Sequence, residues 1–87
     1  MKNYRPGSWS EIARKFANRI YIQVVDMYEN GETAEYYDFE GNLYENVDPE
    51  KWGRHVFETS YRHPRVRLRA AGIFGRKIKE YKKRKNL

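Results

Sequence analysis

Residues 19–31 read Arg19-Ile20-Tyr21-Ile22-Gln23-Val24-Val25-Asp26-Met27-Tyr28-Glu29-Asn30-Gly31, and the fold turns on whether this stretch is strand or helix. Ile20, Ile22, Val24 and Val25 are β-branched, stiff in a helix and at ease on a pleated sheet. The run ends at Asn30-Gly31, the strongest two-residue hairpin signal, because both central residues of a type I′ turn need positive φ. The pattern predicts a first strand beginning at Ile20 and a second returning over Thr33 to Phe39. With a two-residue loop Val24 faces Tyr37 and Ile22 faces Phe39, but Asp26 meets Glu35 unfavourably. A three-residue bulged loop removes that clash, so the register stays open.

Working outward, Asp38-Phe39-Glu40-Gly41-Asn42 predicts a second turn, with Gly41 suited to a left-handed position. A third strand follows over Leu43 to Val47, completing a three-stranded antiparallel meander, the smallest sheet with useful stability. Asp48-Pro49-Glu50 is a strong helix start: a cap, a proline at the first position and an acid in the first turn. That helix is expected from Pro49 to about Tyr61, with Trp52 and Val56 one turn apart. His63-Pro64 interrupts it, since the residue before a proline is disfavoured in the helical region. A third helix then runs from Pro64 to about Lys83. Upstream, Ser8-Trp9-Ser10-Glu11 has capping-box spacing, and Trp9, Ile12, Ala13, Phe16 and Ala17 follow at helical intervals. This first helix is expected from Trp9 to about Ala17, after a loose arm broken by Pro6-Gly7. The expected architecture is a small single α+β domain over 8–81: an N-terminal helix, the meander and two C-terminal helices. A flexible arm (1–7) and a fraying basic tail (82–87) flank it.

Composition narrows the classes. With 87 residues the chain has room for one domain, and without cysteine it has neither disulfides nor a thiolate metal site. No apolar run approaches the length of a membrane span, and the start lacks the apolar core of a signal peptide, so a cytoplasmic protein is expected. Aromatic residues make up 16% of the chain, too many for a disordered segment. The net charge of +6 is unevenly placed. Residues 1–22 carry five basic side chains and one acid, residues 23–50 nine acids and no Lys or Arg, and residues 51–87 thirteen basic side chains and two acids. Segregation of this kind points to a polyanionic partner.

The basic segment has a geometry. At 100° per residue, Val66, Ala70, Ile73, Phe74, Ile78 and Tyr81 of the predicted third helix share an arc of about 140°, a normal core-facing stripe. Arg65, Arg69, Arg76, Lys79 and Lys83 fall within about 80° on the opposite side, with Gly72 in the gap. Over twenty residues the helix is about 30 Å long. Duplex DNA carries a charge every ~1.7 Å of axis, so such a ridge meets several phosphates. Lys82, Arg84 and Lys85 extend it, with Arg5, Arg14, Lys15 and Arg19 as additions. The same pattern is also what any solvated helix carries, and lysines near a helix C-terminus complement its dipole. Gly72 and Gly75 each cost about 1 kcal/mol in a helix interior, which suggests a bend or close approach, either of a neighbouring helix or of a partner.

Tyr21, Tyr28, Tyr36, Tyr37, Phe39 and Tyr44 fall in or beside the predicted strands, but the interleaved acids repel phosphates and weaken a base-stacking role. An acidic, aromatic sheet suits a protein with a basic groove instead. The alternative is therefore an inhibitor or adaptor, such as a phage or mobile-element accessory protein. It would dock on a larger nucleic-acid-processing enzyme through Glu32, Glu35, Tyr36, Glu40, Tyr44 and Glu45.

Chemistry is otherwise sparse. His55 and His63 lack metal-ligand spacing, the calcium-loop pattern fails at Tyr36 and Val47, and no phosphate loop or nucleophile elbow occurs. Neither cofactor nor metal is implied. A small ribonuclease would need a base such as Glu58 or His55, and nothing in the spacing selects them. Helix-turn-helix, ribbon-helix-helix and toxin patterns are not matched. The expected function is non-catalytic binding of nucleic acid, DNA or RNA, through the phosphate backbone.

Overall fold

The computed structural model describes residues 9–60 and 63–87. The expected arm (1–7), with Arg5 and the Pro6-Gly7 break, lies outside the described residues. So does the Ser8 cap, whereas the second helix, expected to about Tyr61, ends at Thr59 with Ser60 extended at its C-cap. Five elements follow in order: α1 (Trp9–Asn30), β1 (Ala34–Tyr37), β2 (Leu43–Val47), α2 (Pro49–Thr59) and α3 (Pro64–Lys85). The small α+β class holds, but the sheet has two strands and not three.

The difference lies in residues 20–31. These continue the first helix, so α1 runs 22 residues without interruption. Ala13, Ala17, Ile20 and Val24 are buried at spacings of four, three and four, and Phe16, Tyr21 and Tyr28 pack beside them. Helical burial of this stripe outweighs the β-branched preference, which amounts to fractions of a kcal/mol per residue. Ile22, which the strand reading paired with Phe39, faces solvent at 64% exposure. Asn30-Gly31 is a helix end and not a hairpin. Gly31 adopts φ +68°, its N–H donates to the Tyr28 carbonyl and the Glu32 N–H donates to the Met27 carbonyl. This is the double bond of a Schellman motif.

The remaining signals mark real boundaries. Asp48 caps α2 by accepting from the Glu50 N–H at 3.1 Å, with Pro49 in the first position. His63 does the same for α3 through Nδ1, which accepts from the Arg65 N–H at 3.1 Å. The turn between β1 and β2 is built by Asp38. Its carboxylate accepts from the N–H groups of Glu40 and Asn42, the Asn42 side chain and the Tyr44 hydroxyl. Gly41 takes φ +86° there. Ala34 pairs with Val47 and Tyr36 with Tyr44, so β2 holds one extra residue, and Asn46 occupies the bulge at φ 55°.

The three helices pack together, with the hairpin attached mainly through α2. α1 and α3 run parallel: Trp9 meets Arg65, Tyr21 meets Lys77 and Tyr28 meets Tyr81. α2 runs against both, since Phe57 touches Phe16 and Phe74 while Glu50 reaches Lys82. The crossing point is Gly53. A Cβ there would lie 2.7 Å from Phe74 Cζ, 3.1 Å from Val24 Cγ2 and 3.3 Å from Ile20 Cγ2. The close approach that the sequence suggested for Gly72 therefore occurs on α2, whereas Gly72 has open space around it. The result is a flat body, 47 × 36 × 16 Å. A hairpin stands off one end and is closed at its base by the Tyr28 hydroxyl donating to Asp48 at 2.7 Å.

Candidate nucleic-acid interface

α3 is divided as its projection requires. Val66, Ala70, Phe74, Ile78 and Tyr81 are buried, with Ile73 packed at the margin of the core. Arg65, Arg69, Arg76, Lys79 and Lys83 are all exposed on the opposite side, and Arg84 is exposed beside them. The residues first read as a tail begin inside the helix. Lys82, Lys83, Arg84 and Lys85 form its last turn, closed by Asn86 at φ 63° and a hydrogen bond from the Leu87 N–H to the Lys82 carbonyl.

Ion pairing sorts these cations. Lys82 donates to Glu50 Oε1 at 2.6 Å and lies 4.0 Å from Asp48. Lys85 pairs with Glu29 at 3.3 Å, which also accepts from the Tyr81 hydroxyl at 2.7 Å. The hydrogen bond from Tyr81, joined by that from Lys85, holds Glu29 below the usual carboxylate value, and its bond to Glu29 pushes Tyr81 up to about 12. At Glu50 burial opposes ionisation. Hydrogen bonds from Lys82 and Arg54 outweigh it and hold the carboxyl low, and Lys82 is raised in return, first by its bond to Glu50. These two lysines are thus fastened to acids of the same molecule. Among the described residues, Arg69, Arg76, Lys79, Lys83 and Arg84 have no ion-pair partner. Arg65 sits over the Trp9 ring at 5.0 Å, and Trp9 stacks on His63 at 4.5 Å.

One contributor comes from another element. Arg54 of α2 donates through Nε and Nη2 to Glu50 Oε2, at 3.2 and 2.9 Å, and lies against Gly75 of α3. There Arg54, Lys79, Lys82 and Lys83 line one groove with Glu50, leaving four cations against one acid. The guanidinium lies close over Gly75, with Nη2 3.4 Å from where a Cβ would stand, an ordinary contact distance. Arg14, Lys15 and Arg19 are exposed on α1, but Lys15 pairs with Glu11 at 3.1 Å. Lys15 and Arg19 line a separate depression with Ile12 and Phe16, so the structure does not bring them to the α3 ridge.

The acids divide in the same way. Those that pair with basic helices stand at helix ends: Glu29, Asp48 and Glu50. Glu32, Glu35, Glu40 and Glu45, in and around the hairpin, are exposed and form no ion pair among the described residues. Tyr36 is not displayed; its ring stacks on His55 at 3.7 Å and on Tyr44 at 5.1 Å, anchoring the hairpin to α2. Tyr44 donates its hydroxyl to Asp38 at the turn and remains 40% exposed. The opposite hairpin face, with the tip, shows Tyr37 at 64%, Leu43 at 42% and Phe39 at 89% exposure, residues the sequence reading did not select as a surface.

Among the described residues His55, His63 and Glu58 are not brought together. His55 is covered by Tyr36 and His63 caps α3, while Glu58 lines a depression with Phe57, Arg67, Leu68 and Ala71 that His55 does not border. Among the described residues no three His, Cys, Asp or Glu side chains are grouped to hold a metal ion. No helix among them is long and apolar enough to cross a membrane. Comparison of the chain with known protein families, curated proteins and solved structures returns no match.

Proposed function

We propose that the protein binds nucleic acid through the exposed face of α3, holding the phosphate backbone without cleaving it. The observation that carries this reading is the row Arg65, Arg69, Arg76, Lys79 and Lys83, exposed along ~27 Å of one helix whose other side is core. Among the described residues the members of this row form no ion pair, with Glu80 the one exposed acid of α3, whereas Lys82, Lys85 and Arg54 are each held by an acid. Unpaired guanidinium groups suit phosphate oxygens, and phosphate contacts position a protein without specifying sequence. The test is the salt dependence of binding to a random-sequence oligonucleotide, single-stranded and duplex. Four to six phosphate contacts give a log–log slope of about −3 to −5, with clear binding at about 50 mM salt. Weak binding at that salt, or a flat slope, refutes the reading.

Glu50 supplies a second check. Glu50→Gln removes the one acid that, among the described residues, lines the groove with Arg54, Lys79, Lys82 and Lys83. Affinity for the same oligonucleotide is expected to rise, while unfolding free energy falls by about 1–2 kcal/mol as the charge-assisted bonds to Lys82 and Arg54 weaken. Equilibrium urea unfolding and fluorescence anisotropy on the one variant read both effects.

A second reading belongs to the hairpin. The exposed Phe39, Tyr37 and Leu43, surrounded by Glu32, Glu35, Glu40 and Glu45, offer an apolar centre with an acidic rim to a basic protein surface. An inhibitor or adaptor would bind through this face, and its binding would survive loss of the α3 ridge.

A further inference from the structure

Gly72 is the described glycine of α3 around which a side chain would meet nothing at all. Gly31 and Gly41 sit at positive φ, Gly53 occupies the helix crossing, and a Cβ on Gly75 would stand in ordinary contact with the Arg54 guanidinium. Gly72 has ordinary helical backbone inside α3, is exposed, and a Cβ built on it meets nothing within 4 Å. Alanine would fit there and would stabilise the helix by about 1 kcal/mol. The position is also special in the charge pattern. Gly72 follows Arg69 by three residues and precedes Arg76 by four, so it lies on the axis of the cationic row, near its middle. The row therefore has bare backbone at its centre, flanked about one turn away on either side by an unpaired guanidinium.

We infer that Gly72 is the seat of a phosphodiester strand: the point where the sugar–phosphate backbone of the bound nucleic acid crosses α3 in van der Waals contact with the helix, gripped by Arg69 and Arg76. Any side chain at this position stands between the strand and the helix and lengthens the reach of both arginines. The seat thus converts a ridge that attracts polyanions into one that fixes where the strand crosses. This inference rests on the nucleic-acid reading above and adds a steric requirement that charge alone does not impose.

The test compares the full chain with Gly72→Ala and Gly72→Gln, measuring thermal unfolding and the affinity of each for a fluorescein-labelled random-sequence oligonucleotide at about 50 mM salt. Both variants are expected to melt at or above the parent temperature while binding more weakly. The glutamine variant should lose about tenfold or more, the worth of one charge-assisted contact. Stabilisation with loss of binding is an outcome that a purely structural glycine does not produce. A glutamine variant that binds as tightly as the parent overturns the seat and leaves the ridge standing. A parent that shows no salt-dependent binding overturns the nucleic-acid reading, and the seat with it.

Discussion

Phe74→Ala is expected to lower the unfolding free energy by about 3–5 kcal/mol, and Gly53→Ala by about 1–3 kcal/mol, with the double variant losing less than the two together. Phe74 is fully buried on α3 and touches Phe57 of α2. Its truncation removes the ring that joins the two helices and leaves a cavity that a flat body with a thin core closes only in part. Gly53→Ala acts from the other side of the same contact. Helix propensity favours alanine by about 1 kcal/mol, but the new methyl would stand 2.7 Å from Phe74 Cζ, so α2 must move outward. Val24 Cγ2 at 3.1 Å and Ile20 Cγ2 at 3.3 Å block sideways relief, since both belong to the buried face of α1. In the Phe74→Ala background the methyl enters space the ring has vacated, which is the source of the non-additivity. Urea unfolding followed by circular dichroism gives all four corners of the cycle. If Gly53→Ala instead raises the midpoint, α2 does not cross α1 and α3 at this distance. Total stability for domains is commonly about 5–15 kcal/mol, so the double variant is expected near the limit of folding.

The misreading of residues 20–31 has a specific physical origin. A glycine such as Gly31 suits any point where the chain needs a left-handed residue, and a type I′ turn and a Schellman helix end share that need. Local chemistry alone does not distinguish them; what differs is which carbonyls receive the next N–H groups. The deciding signal lay upstream, where Ile12, Ala13, Phe16, Ala17, Ile20, Val24 and Tyr28 keep three- and four-residue steps across the boundary placed at Ala17. Ile20, Ile22 and Val24 also alternate, so the run satisfies both periods, and tertiary burial chose the helical one. The strand over Leu43–Val47 and the starts of α2 and α3 were legible because their signals are geometric prohibitions. A proline limits what may precede it, and a bulged turn limits what may occupy its left-handed site.

The outward face of α3 could be projected from sequence because the helix has a single buried stripe, and projection needs only the residue angle. What projection cannot supply is partnership. Lys82 and Lys85 look as available as Lys83 until α2 and the end of α1 deliver Glu50 and Glu29 to them. Arg54 enters the groove only because α2 runs against α3, a relation no local pattern encodes. Nor does any local pattern show that the Tyr36 ring stacks on His55 or that the Tyr44 hydroxyl reaches Asp38.

Reversing charge on the two surfaces separates the two functional readings most sharply. With Arg69→Glu, Arg76→Glu and Lys79→Glu combined, oligonucleotide binding at about 50 mM salt is expected to disappear, and any residual salt slope to be shallower by about three. None of the three side chains has an ion-pair partner among the described residues and all are exposed, so thermal unfolding should be nearly unchanged. That combination is what distinguishes a lost interface from a lost fold. Reversal in the hairpin, Glu32→Lys with Glu35→Lys, Glu40→Lys and Glu45→Lys, leaves the ridge intact and lowers the negative field of the molecule. Oligonucleotide affinity should then hold or rise, because these acids oppose the approach of phosphate and form no ion pairs that hold the fold. If the hairpin reversal abolishes activity in the cell while the α3 reversal is silent there, the acidic hairpin is the working surface. The basic row of α3 is then only the solvated side of a helix, and the spare glycine at its centre has no strand to seat.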